Sequence, residues 1–276
     1  MGVANLMVHL QPGQPNTAAL KVARALAERL QAAVTGIALC QPMRIIYNDG
    51  YVPPEIFVLD QAQIDSDLKA TETEFRAAME GSGLGVEWRP VVTSDSLSAY
   101  LADESYGADL VITGVDRSTS LFDTSRHVDV GDFVMQAGRP CLIVPAALER
   151  FSLDHVVVGW KDGCEARRAA SDALPLLKVA GRVSVVAIAA KEDVEDAQAR
   201  LTGVAGWLQR HGIAAETVVA SVVGDDAGQL GALAQELGAT LLVAGAYGHS
   251  RVREWALGGV TRDLLLRAER CALVSH

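Results

Sequence analysis

The sequence has no run of about 18 apolar residues, the length a helix needs to cross a bilayer. Its four cysteines, Cys40, Cys141, Cys164 and Cys271, stand 101, 23 and 107 residues apart. No C-x-x-C pair exists, so neither a zinc site nor a thioredoxin-like redox site is indicated, and each cysteine reads as a small buried hydrophobe. The six histidines never fall at H-x-x-x-H or H-E-x-x-H spacing, which leaves metal binding unsupported. Basic residues are in deficit, 24 against 34 acidic, giving a net charge of −10. Nucleic acid and anionic membrane both require a basic surface, so neither is an expected partner. The N-terminus has no basic segment followed by an apolar one and a cleavage site, and the expected location is cytoplasmic. Also missing are G-x-x-x-x-G-K-[ST], G-x-G-x-x-G after a first strand, and G-x-S-x-G, which argues against a dedicated enzyme.

Apolar residues are plentiful. They make up 50% of the 276 residues, with aromatics only 5%, an α/β composition rich enough for two cores of about 140 residues each. An internal repeat with a period near 130 residues supports that division. Gly107 to Gly114 reads G-A-D-L-V-I-T-G and is followed by R-P-C-L-I-V-P. Gly238 to Gly245 reads G-A-T-L-L-V-A-G and is followed by E-R-C-A-L-V-S-H. Cys141 and Cys271 fall at equivalent places. The expected domains are 1–147 and 151–276, with the joint near Ala146 to Arg150.

Short apolar runs alternate with helical patterns through both halves. Expected strands include 4–9, 34–40, 86–92, 110–113, 183–189 and 215–223. Asn16 is the expected cap of a helix whose Leu20, Ala23, Ala27 and Leu30 share a face. A second helix is expected from about Val58 to Glu80, after a turn-rich segment, Gln41 to Pro54, with almost no counterpart in the second half. Asp225 or Asp226 is the expected cap of a helix that buries Leu230, Leu233, Ala234 and Leu237. Such alternation gives parallel sheets covered on both faces, with ligands beyond the carboxyl ends of the strands.

The stretch 240–266 carries the chemistry. A buried strand pattern, Leu241 to Ala244, turns on Gly245 and Gly248, crosses nine residues and reaches Gly258-Gly259 before a helical pattern. Glycines let the backbone approach a ligand, and a helix start leaves amide N–H groups free for an anion. Between Gly245 and Arg262 stand Arg251, Arg253 and Arg262 against Glu254 alone.

The spacing G-x-x-G, nine residues, then G-G-V-T resembles the nucleotide-binding signature of the universal stress protein family, and the repeat is similar to that family's tandem-domain members. The resemblance covers essentially the whole chain, more loosely in the first half. It implies two Rossmann-like domains, each a five-stranded parallel sheet in the order 3-2-1-4-5 flanked by helices, facing each other as an intramolecular pseudo-dimer. The last strands, around Cys141 and Cys271, would then meet near the pseudo-two-fold axis. The implied ligand is ATP or another adenine nucleotide, with or without Mg, held by Gly245, Gly248, Gly258, Gly259, Val260 and Thr261, with Arg251 or Arg253 supplying charge. Gly259 stands where the family has a hydroxyl residue, and Thr261 follows two positions later. The family's adenine-contacting Asp corresponds to a place reading Trp160-Lys161-Asp162. Asp162 is displaced there by one residue, and Trp160 either covers the adenine or fills core. In the first half Arg117 replaces the second glycine. Four aspartates and two arginines between Gly114 and Asp132 would repel a phosphate tail, so that half is read as degenerate.

The expected function is an ATP-binding stress-response or signalling protein with one competent site, in the second half. The alternative is a nucleotide-free interaction module of the same fold, with an unidentified protein partner. His249 reads as an exposed loop residue rather than an acid or base, so slow ATP hydrolysis is the most that is expected. Further homodimerisation, and the choice among ATP, AMP and a cyclic nucleotide, stay open.

Overall fold

A computed structural model of the chain describes residues 2–43, 53–115, 127–222, 226–246 and 270–276. The first half runs β1 (Asn5–Leu10), α1 (Thr17–Leu30), β2 (Ala33–Cys40), α2 (Pro54–Met79), β3 (Val86–Val92), α3 (Leu97–Glu104), β4 (Leu110–Gly114), α4 (Val130–Ala137) and β5 (Cys141–Val144). The second runs β6 (His155–Gly159), α5 (Cys164–Asp172), α6 (Leu174–Leu177), β7 (Arg182–Ala189), α7 (Val194–Arg210), β8 (Glu216–Ser221), α8 (Asp226–Glu236), β9 (Leu241–Gly245) and β10 (Cys271–Ser275).

The strands join in one ten-stranded sheet of order β3-β2-β1-β4-β5-β10-β9-β6-β7-β8. Each half therefore has the expected order 3-2-1-4-5, with every pairing inside it parallel. Among the described residues the one antiparallel pairing joins the halves, β5 to β10, with Leu142 opposite Leu273 and Ile143 opposite Ala272. Aligning Cys141 with Cys271 exchanges those two pairs. The repeat in the sequence thus becomes a local two-fold relation at the middle of the sheet.

Strands buried on both faces need apolar residues at every position. Leu110 to Ile112 and Leu241 to Val243 meet that need and are at most 2% exposed. One core cluster under α1, α2, α5 and α7 runs through both halves, from Leu6 and Val8 to Val156 and Val158. The opposite face is split between Met7, Val111 and Phe133 in the first half and Val157, Leu230 and Leu242 in the second.

Three local expectations are corrected. Asn16 occupies the cap position of α1 but makes no capping bond. Its side chain instead closes the preceding turn, accepting from Gln11 N at 2.8 Å and donating to Gln14 O at 2.9 Å. Helix α2 begins at Pro54 rather than near Val58, because a proline at the first helical position costs no hydrogen bond. Of the four cysteines only Cys141 and Cys271 are buried, whereas Cys40 is intermediate and Cys164 is exposed at the start of α5. The Asp225 alternative for the α8 cap lies outside the described residues, and Asp226 is the first residue of that helix.

Candidate functional site

The order β7-β6-β9 reverses direction between β6 and β9, and open α/β sheets as a class bind ligands beyond the strand ends at such a switch point. Both strands end in glycine, and both glycines are closely packed. A Cβ on Gly245 would lie 2.6 Å from Glu165 C and 2.7 Å from Ala166 N, the backbone of the first turn of α5. On Gly159 it would lie 2.8 Å from Leu230 Cδ2, on α8. Both strand ends are therefore closely covered, Gly245 by the first turn of α5 and Gly159 by Leu230 of α8.

The ladder registers allow a residue-by-residue comparison with the first half. Leu6 lies opposite Val34 and Leu110, as Val156 lies opposite Val183 and Leu241. On that alignment His9 stands where the second half has Gly159, and Gly114 where it has Gly245. His9 is 2% exposed, and its Nδ1 is 2.9 Å from Thr113 Oγ1 across the β1–β4 register. A Cβ on Gly114 would meet nothing within 4 Å. The first half places the His9 imidazole where the second half has Gly159, and there the Leu230 side chain packs over the strand end instead. Sequence reasoning passed over both His9 and Gly159, and superposing the first strands of the two repeats would have found them.

The turn from β6 into α5 holds two of the expected site residues. Trp160 donates its amide to Val186 O at 2.7 Å and is half-buried against the core cluster shared by the two halves. Asp162 is exposed at the turn, and its carboxylate accepts from Arg167 at 2.6 Å, with Arg200 at 3.5 Å. Lys161 beside it is exposed. Arg167 comes from α5 and Arg200 from α7, so the fold brings two further cations, unforeseen in the sequence, to the turn after β6. Beyond Gly245, the chain passes to Ala246, whose amide donates to Ser275 O at 2.8 Å. The remaining expected ligands, Gly248, Arg251, Arg253, Gly258, Gly259, Val260 and Thr261, lie outside the described residues, as does His249.

A groove of about 430 Å³ between α1 and α2 is lined by Leu20, Lys21, Arg24, Glu28 and Glu74, among others, and by no strand end. Arg24 is committed there to Glu28 and to the carbonyls of Ala78 and Glu80, so the groove offers little uncompensated charge. Among the described residues no group of acidic, His and Cys side chains could hold a metal, and no helix is long and apolar enough to cross a membrane.

No protein-family model matches the sequence, and neither does any curated protein. Similarity is found in solved structures. A universal stress protein from Archaeoglobus fulgidus DSM 4304 superposes with a TM-score of 0.74 at 14% identity, covering 98% of this chain and 97% of that one. A functionally unknown protein from Pseudomonas aeruginosa PAO1 gives 0.62 at 17% identity, covering 99% and 92%. The chain has the fold of universal stress proteins over nearly its whole length.

Proposed function

We propose that the chain binds an adenine nucleotide, ATP foremost, at one site in its second half and acts as a stress-response or signalling protein. The observation that carries this is the difference between the two sets of strand ends. Gly159 and Gly245 carry no side chains of their own at the second switch point, where Leu230 and the first turn of α5 pack on them, whereas His9 stands at the first. A backbone cradle for phosphate is built from a glycine-rich turn leading into a helix start, the pattern that follows Gly245. From Gly245 the sequence continues with the glycine spacing and net positive charge already described. Lys161, Arg167 and Arg200 add cations near the same strand ends, in a chain of net charge −10. On this reading the N–H groups of Gly248 and Gly258 to Val260 hold the phosphates, Arg251 or Arg253 neutralises them, and Thr261 supplies the hydroxyl that Gly259 lacks. Trp160 and Asp162 lie on the adenine side. Residues 1–147 then complete an intramolecular pseudo-dimer through the β5–β10 pairing, without a nucleotide site of their own.

Calorimetric titration with ATP, in the presence and absence of Mg, tests the proposal. One nucleotide should bind per chain, and Gly248→Val or Gly258→Val should abolish the heat while circular dichroism stays unchanged. Unaltered affinity in either variant refutes the assignment.

A nucleotide-free interaction module is the second reading, favoured by the Asp162 carboxylate being taken up by Arg167 and Arg200. Heating the purified protein and chromatographing the supernatant separates the two, because only the first reading expects co-purified adenine nucleotide.

A further inference from the structure

The ten-stranded sheet has two outer strands, β3 and β8, and the chain treats them differently. In a parallel ladder the N–H and C=O of alternate residues point to the same neighbour, and those between point away. Thr93 N donates to Cys40 O at 3.0 Å, so Val91 and Arg89 also face β2, while Pro90 faces outward. Val222 N donates to Ala189 O at 2.9 Å, so Ala220 and Val218 face β7, while Thr217, Val219 and Ser221 face outward. Superposing the halves as above brings Ala38 onto Ala187. Their partners in the outer strands are Pro90 and Val219. At one structural position, then, the first edge has a residue with no N–H to offer, and the second edge has one that no described residue accepts.

Proline and lysine on an edge strand are the usual guards against strand addition. β8, reading E-T-V-V-A-S, has neither, and its one charged residue, Glu216, is paired with Arg182 at 2.5 Å. Among the described residues no strand lies on its outer side.

We propose that β8 is a dimerisation edge, where a second copy of this chain adds its own β8 antiparallel across a two-fold axis through Val219. Val219 then exchanges both backbone bonds with its counterpart, and Thr217 exchanges both with Ser221 of the other copy. Pairing with a second copy suits the strand's charge. Glu216 falls opposite Val222, so the axis brings no carboxylates face to face, which matters because like charges directly opposite destabilise a ladder. The half-exposed Val218, Val219 and Ala220, and Val222 at 45% exposure, provide apolar cover for the joint. Ser221 O already accepts from Gln229 Nε2 at 2.5 Å and has a second lone pair for the new bond. A single open edge per chain also closes the assembly at two copies, since Pro90 stops growth at the other end. The same kind of antiparallel edge contact already joins β5 to β10 within the chain.

Sedimentation velocity of the full chain, from about 1 to about 200 μM, tests this at ~0.15 M salt, where the net charge is screened beyond about 8 Å. The expected result is a monomer–dimer equilibrium within that range, with Thr217, Val219 and Ser221 amides gaining protection from hydrogen exchange as the dimer forms. Val219→Pro removes no bond from the β7–β8 ladder and should leave a monomer. Should that variant fail to fold, Thr217→Lys/Ser221→Lys, which sets lysines directly opposite each other, should do the same. Pro90→Val should open the other edge and produce species larger than a dimer. A wild-type chain that stays monomeric throughout overturns the proposal. So does a dimer that persists in the folded variants, which would place the contact elsewhere.

Discussion

Replacing Gly245 with alanine tests whether the end of β9 is glycine for reasons of packing. The new Cβ would sit 2.6 Å from Glu165 C and 2.7 Å from Ala166 N, and both are backbone atoms that no rotamer change can move away. Relief requires the first turn of α5 to shift, taking with it the turn that carries Lys161 and Asp162. Overpacking of this kind costs roughly 1–3 kcal/mol. In a chain of this size each kcal/mol lowers the melting temperature by about 2–4 °C, so a drop of about 2–12 °C is expected. The protein contains its own control. Gly114 holds the equivalent place in β4, has open space around its would-be Cβ, and does not adopt a positive φ. Gly114→Ala should be neutral, or stabilising by up to about 1 kcal/mol through a less flexible unfolded chain. Thermal and urea unfolding of both variants, with the two transitions compared, provides the measurement. A Gly245→Ala cost below about 0.5 kcal/mol, or a Gly114→Ala cost as large as that of Gly245→Ala, would refute the packing argument.

Three further outcomes are expected. Burial pushes the Cys141 and Cys271 thiols up to about 12, so at pH 8 neither forms a thiolate, while Cys164 is exposed. Thiol titration of the native protein should therefore modify Cys164 first and leave Cys141 and Cys271 untouched until denaturant is added; early labelling of either would contradict the buried β5–β10 joint. Phe75 is fully buried, 5.5 Å from the Trp88 ring and packed on Gly36, so Phe75→Ala should cost about 3–5 kcal/mol in a urea titration. Asp162→Asn removes only an exposed ion pair and should change stability by less than about 1 kcal/mol. Its ATP affinity should fall several-fold if Asp162 serves the nucleotide, and a large stability loss with unchanged affinity would make it purely architectural.

Most of the fold was legible because buried parallel strands leave an unambiguous trace. G-A-D-L-V-I-T-G and G-A-T-L-L-V-A-G announce the same element twice, and β3 was delimited to the residue. Helix α2 was harder, since Phe57, Val58 and Leu59 at its start are exposed and fall outside the buried stripe that runs from Ile64 to Met79. Asn16 looked like a cap because the residue type suits one, and nothing local reveals that its amide prefers the turn behind it. The role of Gly245 was legible only in part. Spacing marked it as a ligand-loop glycine, while its contact with Glu165 and Ala166 depends on a helix some 80 residues earlier in the chain. The same holds for Arg167 of α5 and Arg200 of α7, which sequence separation hides and the fold brings together at Asp162. The contrast between Pro90 and Val219 needed the registers of both halves, because neither residue is unusual by itself.

Whether the N–H groups of Gly248 and Gly258 to Val260 hold a nucleotide's phosphates is decided by calorimetric titration of the purified chain with ATP. Saturable binding at one nucleotide per chain is expected, abolished by Gly258→Val. Absence of binding in nucleotide-stripped protein, or two equivalent sites per chain, would contradict it.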